Sequence, residues 1–297
     1  MGLQLRNGAR VAVVAPAGMF TAERLQGGMD VVRSWGYDLV AAPQLFATAR
    51  YTAGSMEQRS ADLNWALTEP DIDAVWFARG GFGTAHLLPQ IPWQRLDGRP
   101  VIGFSDATAL LTALQQHSLP AIHGPVLQTL ASSEVYGGHG AVLVDDTSRR
   151  ALQKLLQIGE LPTLRGELLC GPARPVRGPV LGGNLTVLGS LAGTPWALRT
   201  QGAILVLEEV GEVPYRVDRM ITQLRQSGAL QGVLGIALGD FQDARTDAAE
   251  MRQVLRDLLA PLGVPVLAGL PVGHGAANVA WPVGAVATLE MEALRFG

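Results

Sequence analysis

The sequence predicts an α/β protein: an N-terminal domain with a mainly parallel sheet flanked by helices, and a smaller C-terminal domain of α/β (α+β) type. Three observations predict it. Short apolar runs of strand length alternate with amphipathic stretches of helical period through the first 130 residues. Small-residue and glycine turns follow the apolar runs, as strand-to-helix connections need. The alternation breaks off after residue 130 and resumes at about residue 179.

In chain order, ARVAVVAPAG (9–18) reads as a strand running into a small-residue turn. TAERLQGGMDVVRSWG (21–36) is an amphipathic helix, and YDLVAAP (37–43) a second strand. SMEQRSADLNWALTEP (55–70) is a helix opened by Ser55, with Gln58 at the spacing of a capping box. DAVWFARGG (73–81) gives a strand and a glycine turn, and AHLLPQI (85–91) a short helix. VIGF (101–104) runs into a further helix, and HGPVLQTL (123–130) closes the first domain, residues 1–130. Residues 131–178 read as a connector: a loop-like SSEVYGGHG, a helix TSRRALQKLLQIG, and the Pro-, Gly- and Arg-rich RGELLCGPARPVRGP. The second domain, 179–297, holds the strand AILVLEEVG, the helix YRVDRMITQLRQSG, the strand GVLGIALGDF, the helix DAAEMRQVLRDLLAPLG, the strand PVLAGL and a strand-rich tail.

Composition narrows the function class. The 297 residues are 48% hydrophobic and 16% charged with 36 glycines, which suits a compact enzyme better than a disordered or fibrous chain. A net charge of −3 gives no reason to expect nucleic acid or an anionic membrane as partner. Lys154 is the single lysine and reads as a solvated helix residue, leaving a Ser–Lys dyad or a Schiff base without a good candidate. The single cysteine, Cys170, excludes an intrachain disulfide and a thiolate cluster. With no HExxH, CxxC or EF-hand pattern, neither a catalytic metal nor a cofactor is expected. The N-terminus lacks the layout of a signal peptide, and the uncharged stretch 262–289 is broken by Pro265, Pro271 and Pro282, so a cytoplasmic protein is expected.

Four places could carry chemistry. Ser105 stands where the strand VIGF meets a helix, with small residues two before and two after, Gly103 and Ala107. Such a turn lifts a serine hydroxyl to the top of a sheet and leaves backbone N–H groups for an oxyanion. Ala107 replaces the second glycine of G-x-S-x-G, and a helix N-cap is the plain alternative. Among five histidines, His86 and His117 fall in helical stretches, His139 in the connector and His123 at a strand end. His274 lies between two glycines directly after a strand, with room to approach a site or simply to face solvent. Glu208 and Glu209 end the strand Ile204–Leu207; because strand residues alternate faces, at most one turns toward a site, and spacing does not choose which. Glu212 and Asp218 are further acids, with Asp218 and Arg219 reading as a structural ion pair. The turn Ala78–His86 offers the amides of Gly80 and Gly81 beside Arg79, a cradle for phosphate, carboxylate or oxyanion that matches neither a Walker loop nor a dinucleotide fingerprint.

Taken together and in this order, VAVVAPAG, ARGGFGTAHLL, VIGFSDATALLTAL, HGP, GGNLTVLGSLAGTPW, LEEVGEVPYRVDRMITQL and GLPVGHG resemble the LD-carboxypeptidase family of serine peptidases, which also holds the microcin C self-immunity hydrolases. The resemblance implies a nucleophile at Ser105, a base at His274 and an orienting acid at Glu208, with the backbone amides of Gly81 and Asp106 as oxyanion hole. Phe104 and Phe82 stand where tyrosine is frequent, and Glu209 where aspartate is frequent. The implied activity is release of the terminal D-Ala from the muropeptide L-Ala-γ-D-Glu-meso-Dap-D-Ala in peptidoglycan recycling, by a cofactor-free cytoplasmic homodimer. Arg79 and Gly80 are candidates for binding the substrate carboxylate, a buried structural arginine being the alternative for Arg79. One rival keeps the triad and cleaves an acyl-sulfamoyl adenylate or similar aminoacyl-nucleotide. The compact length speaks against it, since that branch adds an aromatic loop. A rival of another class is a non-catalytic protein holding an anionic ligand on the glycine turn and Ser105.

Overall fold

The computed structural model describes residues 2–131, 143–243 and 245–297. His139 and the loop-like segment 132–140 lie outside the described residues. The chain divides into two compact units, Met1–Glu160 and Leu161–Gly297.

The first unit alternates β1 (Arg10–Val14), α1 (Ala22–Ser34), β2 (Asp38–Ala41), α2 (Met56–Thr68), β3 (Ala74–Phe77), β4 (Val101–Gly103), α3 (Thr108–Gln116) and β5 (Ala121–His123), and ends in α4 (Asp146–Ile158). The five strands lie in the order β5-β4-β3-β1-β2, all parallel. Val11–Val14 and Ala74–Phe77 are fully buried on both faces, as strands of a parallel sheet covered by helices must be. α1 turns Leu25, Met29 and Val32 inward at helical spacing. α2 opens with the reciprocal Ser55–Gln58 capping box. Lys154, on α4, pairs with Glu160 in solvent at 2.9 Å. The strand order turns back at β1, so the crevice of this sheet opens over the carboxyl ends of β1 and β3. The turns that follow those two strands meet there, with the Gly18 N–H donating to the Gly80 carbonyl at 3.0 Å.

The second unit contains β6 (Thr163–Arg165), β7 (Glu167–Cys170), β8 (Val176–Asn184), α5 (Leu185–Leu191), β9 (Ile204–Val210), α6 (Pro214–Gln226), β10 (Gly235–Gln242), α7 (Ala248–Leu259), β11 (Val266–Ala268), β12 (Trp281–Val283), β13 (Val286–Leu289) and β14 (Ala293–Phe296). Eight of these strands form a mixed sheet in the order β6-β14-β13-β8-β9-β10-β11-β7, in which β8 to β11 are parallel. β6 and β7 arise within the segment 131–178 that reads as a connector in sequence. They are edge strands of three and four residues, formed by antiparallel pairing to β14 and β11, partners about 100 or more residues away that no local pattern signals. The parallel run brings Asn184, Glu208 and Asp240 to the same end of neighbouring strands. β10 carries one extra residue there: Leu238 to Phe241 oppose Leu207 to Glu209. On α6, Asp218 accepts from Thr222 at 3.0 Å and Arg219 lies over the Tyr215 ring, which replaces the Asp218–Arg219 pair expected from sequence. Among the described residues no helix is long and apolar enough to cross a membrane.

Candidate active site

In the first unit, the end of β4 makes an abrupt turn. Phe104 is extended (φ −151°), Ser105 is left-handed (φ +62°), and a single 3-10 turn, Ser105–Ala107, leads into α3. A serine at positive φ costs ~1–3 kcal/mol and persists only where its surroundings enforce it. Here crowding is part of the enforcement, since a Cβ on Gly103 would stand 2.8 Å from the Ala107 Cβ. One glycine of the pair is enough, which is why alanine is tolerated at 107. The helix-cap alternative is not what the aspartate does. The cap positions fall on Phe104 and Ala107 without side-chain caps, and the buried Asp106 carboxylate accepts the Thr84 N–H at 2.8 Å.

That hydrogen bond ties the Ser105 turn to the glycine turn after β3. A Cβ on Gly80 would lie 2.8 Å from the Ser105 Cβ and 3.0 Å from its Oγ, so bare backbone passes directly against the serine. Gly81 has φ +122°, and a Cβ there would meet the Gly18 Cα at 2.8 Å. Only glycine fits. Arg79 is exposed and donates to the Met19 carbonyl, so it is not a buried structural arginine. The arginine buried among these turns is one that the sequence did not single out, Arg59 of α2, which is 4% exposed. Its Nη1 donates to the carbonyls of Pro16 (2.6 Å) and Gly83 (3.1 Å), and its Nε to that of Gly54 (3.3 Å). Burial pulls its guanidinium below the ordinary range, and the charge of Asp106 works against that pull. Three loops around the serine thus share one hydrogen-bonded hub.

In the second unit, Glu208 is fully buried at the end of β9, and its Oε2 lies 2.7 Å from His274 Nδ1. The geometry fits a carboxylate accepting from Nδ1–H, which leaves Nε2 as the basic nitrogen. Glu208 Oε1 is buried without a hydrogen-bond partner among the described residues. Burial works against the imidazolium, but the hydrogen bond and charge of Glu208, with Glu209 and Asp240 behind it, outweigh burial and hold His274 above the ordinary histidine range. Glu209 turns the other way, as alternation along a strand requires. Its carboxylate accepts from the backbone N–H of Thr186 (2.7 Å) and Val210 (2.8 Å), serving the first turn of α5. Burial pushes its carboxyl up, against those hydrogen bonds.

The two glycines around His274 are filled from outside. A Cβ on Gly275 would stand 2.3 Å from Asp240 Oδ2, and one on Gly273 3.1 Å from Glu208 Oε2. Asp240, which sequence reasoning also passed over, accepts the Gly275 N–H at 2.9 Å. The remaining described histidines have other surroundings. His86 packs edge-on to Phe82, His117 stacks on Trp93, and His123 is fully buried beside Phe104. No group of three or more potential metal ligands occurs among the described residues.

Chemically, the second unit holds an imidazole with a buried carboxylate on its Nδ1, and the first a half-buried serine in a left-handed turn with glycine backbone against it. The model of the LD-carboxypeptidase N-terminal domain matches residues 11–124, and that of the LD-carboxypeptidase C-terminal domain residues 177–289. A murein tetrapeptide carboxypeptidase of Pseudomonas aeruginosa is 38% identical over 97% of this chain and 95% of its own. The chain belongs to the LD-carboxypeptidase family. It is accordingly a serine-type carboxypeptidase. Another relative, a probable murein peptide carboxypeptidase of Bacillus subtilis, is 33% identical over 96% of this chain and 90% of its own. Among solved structures, a muramoyltetrapeptide carboxypeptidase from Oxalobacter formigenes matches with a TM-score of 0.82 at 30% identity, covering 97% of this chain and 99% of that one. MccF in complex with glutamyl sulfamoyl guanosine matches with a TM-score of 0.84 at 20% identity, covering 99% of this chain and 97% of that one, a likeness of fold.

Proposed function

We propose that the protein hydrolyses the bond between the L-centre of meso-diaminopimelate and the terminal D-Ala of muropeptide tetrapeptides, with Ser105 as nucleophile, His274 as base and Glu208 as its orienting acid. The substrate follows the names of the relatives that match nearly end to end. The chemistry is carried by the 2.7 Å pairing of His274 Nδ1 with the buried Glu208. Ser105 Oγ attacks the scissile carbonyl carbon while His274 Nε2 takes its proton. The amides of Gly81 and Asp106 bind the resulting oxyanion, and Gly80, against the serine, lets the backbone come close enough. As the C–N bond breaks, the imidazolium returns the proton to the departing D-Ala amine. A water, deprotonated by the same nitrogen, then attacks the acyl-serine, and collapse restores Ser105 and frees the tripeptide. Glu208 stabilises the imidazolium in both halves. Arg79, exposed beside the glycine turn, is the proposed cation for the substrate's free carboxylate.

We assign the reaction to the cytoplasm and to a homodimer, which cell fractionation and sedimentation velocity test. The activity is tested by offering L-Ala-γ-D-Glu-meso-Dap-D-Ala to the wild type and to Ser105→Ala, with D-Ala followed by mass spectrometry. Release by the wild type and none by the variant is expected. Release by Ser105→Ala at the wild-type rate overturns the nucleophile, and turnover of an acyl-sulfamoyl adenylate with none of the muropeptide overturns the substrate.

A further inference from the structure

We propose that Asp240 is a positioning residue of this hydrolysis, seating the His274 loop against Glu208; the proposal rests on His274 being the base. Three observations carry it. First, the extra residue of β10 falls between Leu238 and Phe241, opposite the Leu207–Glu209 segment that contains Glu208. An added residue in a strand re-aims side chains locally, and such bulges recur next to active sites. Second, β10 grips the loop on both sides of the histidine. The Asp240 N–H donates to the Val272 carbonyl at 2.8 Å, and Asp240 Oδ2 accepts the Gly275 N–H at 2.9 Å. Third, the loop fits closely against that grip. A Cβ on Gly275 would stand 2.3 Å from Asp240 Oδ2, and one on Gly273 3.1 Å from both the Asp240 Cβ and Glu208 Oε2, so Asp240 lies against the backbone on either side of His274, sharing the Gly273 side with Glu208.

The surroundings explain why a carboxylate does this work. Burial pushes the Asp240 carboxyl up, and Glu208 on β9 adds to that, while the Gly275 N–H, Gln242 on β10 and His274 on the loop hold it down. His274 in turn feels the charges of Glu208, which it faces, of Glu209, which points away on β9, and of Asp240 on β10. Asp240 therefore acts on the histidine in two separable ways, through the Gly275 hydrogen bond and through its charge. Asparagine keeps an acceptor for the Gly275 N–H and removes the charge, whereas alanine removes both.

The experiment measures kcat and kcat/KM against pH for wild type, Asp240→Asn, Asp240→Ala and His274→Ala. It also follows the His274 imidazole by NMR titration in a Ser105→Ala background. With one facing anion gone the imidazolium is less favoured, so Asp240→Asn keeps most of kcat while the acid limb and the His274 titration both move down, by about half a pH unit or more. Asp240→Ala lowers kcat by about 10- to 100-fold through misplacement of the base. A folded Asp240→Ala with wild-type kcat overturns the positioning role. If that variant does not fold, Asp240→Asn decides: an unmoved acid limb and an unmoved His274 titration overturn the proposal. Both failures leave the triad standing so long as His274→Ala is inactive. Activity in His274→Ala overturns the triad itself, whatever Asp240 does.

Discussion

Replacing Glu208 by glutamine preserves the outline of the side chain and removes its charge. The structure makes the cost calculable in order of magnitude. Oε2 lies 2.7 Å from His274 Nδ1 with the carboxylate fully buried, so the interaction is a desolvated, charge-assisted hydrogen bond once the imidazole takes a proton. Such a bond contributes ~1.5–3 kcal/mol, or about 10- to 160-fold in rate if it acts only when the imidazolium forms. The amide has two orientations, and each is poor. With its carbonyl toward Nδ1 the hydrogen bond to the imidazole is kept, but the charge that stabilises the imidazolium is lost. With its NH2 toward Nδ1, the histidine is forced into the tautomer whose Nε2 carries the proton and cannot act as base. In the Ser-His-Asp template the corresponding amide substitution costs ~10,000-fold. We therefore expect kcat to fall by about 100- to 10,000-fold in Glu208→Gln, with modest change in KM.

The pH dependence has a definite sign. The Glu208 hydrogen bond and charge hold His274 above its ordinary value against burial, so their removal lowers it. Because the base must be neutral to accept the serine proton, the acid limb of kcat/KM moves to lower pH in the variant. The assay is D-Ala release from the tetrapeptide between pH 5 and 9, with circular dichroism to establish that the variant is folded. A folded Glu208→Gln within threefold of wild type, with an unmoved acid limb, would refute the reasoning.

Gly81→Ala must shift both its own backbone (φ +122°) and Gly18, whose Cα stands 2.8 Å from the new Cβ. Displacing one oxyanion amide lowers kcat by ~100–1000-fold; near-normal kcat would remove Gly81 from the hole. Ser105→Gly abolishes activity yet relieves a left-handed serine at φ +62°, so thermal unfolding is expected at or above the wild-type temperature, by at most ~1 kcal/mol after the added unfolded-state entropy. A clear loss of stability would show that the turn is not strained. Arg59→Met removes the guanidinium from the carbonyls of Pro16, Gly54 and Gly83, of which Gly54 keeps Thr52 Oγ1 and Gly83 the His86 N–H, and urea unfolding is expected to show a loss of ~1–3 kcal/mol with activity reduced in the folded fraction. Unchanged stability would show that Arg59 is not a hub. Finally, His274 has a folded value raised above its unfolded one, so its contribution to stability is full below pH ~6.5 and is lost as pH rises through the raised value. The gap in melting temperature between wild type and His274→Gln should therefore narrow from pH 5 to pH 9, and a gap that widens would refute the sign.

The parts of the site legible in sequence are those that local geometry dictates. A strand residue, a tight turn and a helix start leave marks within a few positions, which is why VIGFSDATALL announces the Ser105 turn. Alternation along β9 limited the choice at Glu208 and Glu209 to one inward side chain, and the Thr186 and Val210 amides account for the other. Arg59 and Asp240 left no such mark, because an arginine within a helix and an aspartate at a strand end are ordinary until distant loops close on them. The same is true of β6 and β7, whose pairing partners lie about 100 or more residues away.

The glycines around His274 have a different physical reason in the structure from the one that the sequence suggests. In sequence they read as freedom for a histidine to approach a site. In the structure they are small because the space is taken, at Gly275 by the Asp240 carboxylate and at Gly273 by Asp240 and Glu208 together. A flexible loop would deliver the imidazole to many positions and lose most of the advantage of a preset base. A loop packed this closely on both sides delivers it to one. The G-H-G pattern is therefore evidence of restraint, imposed at Gly275 by Asp240 and at Gly273 by Asp240 with Glu208.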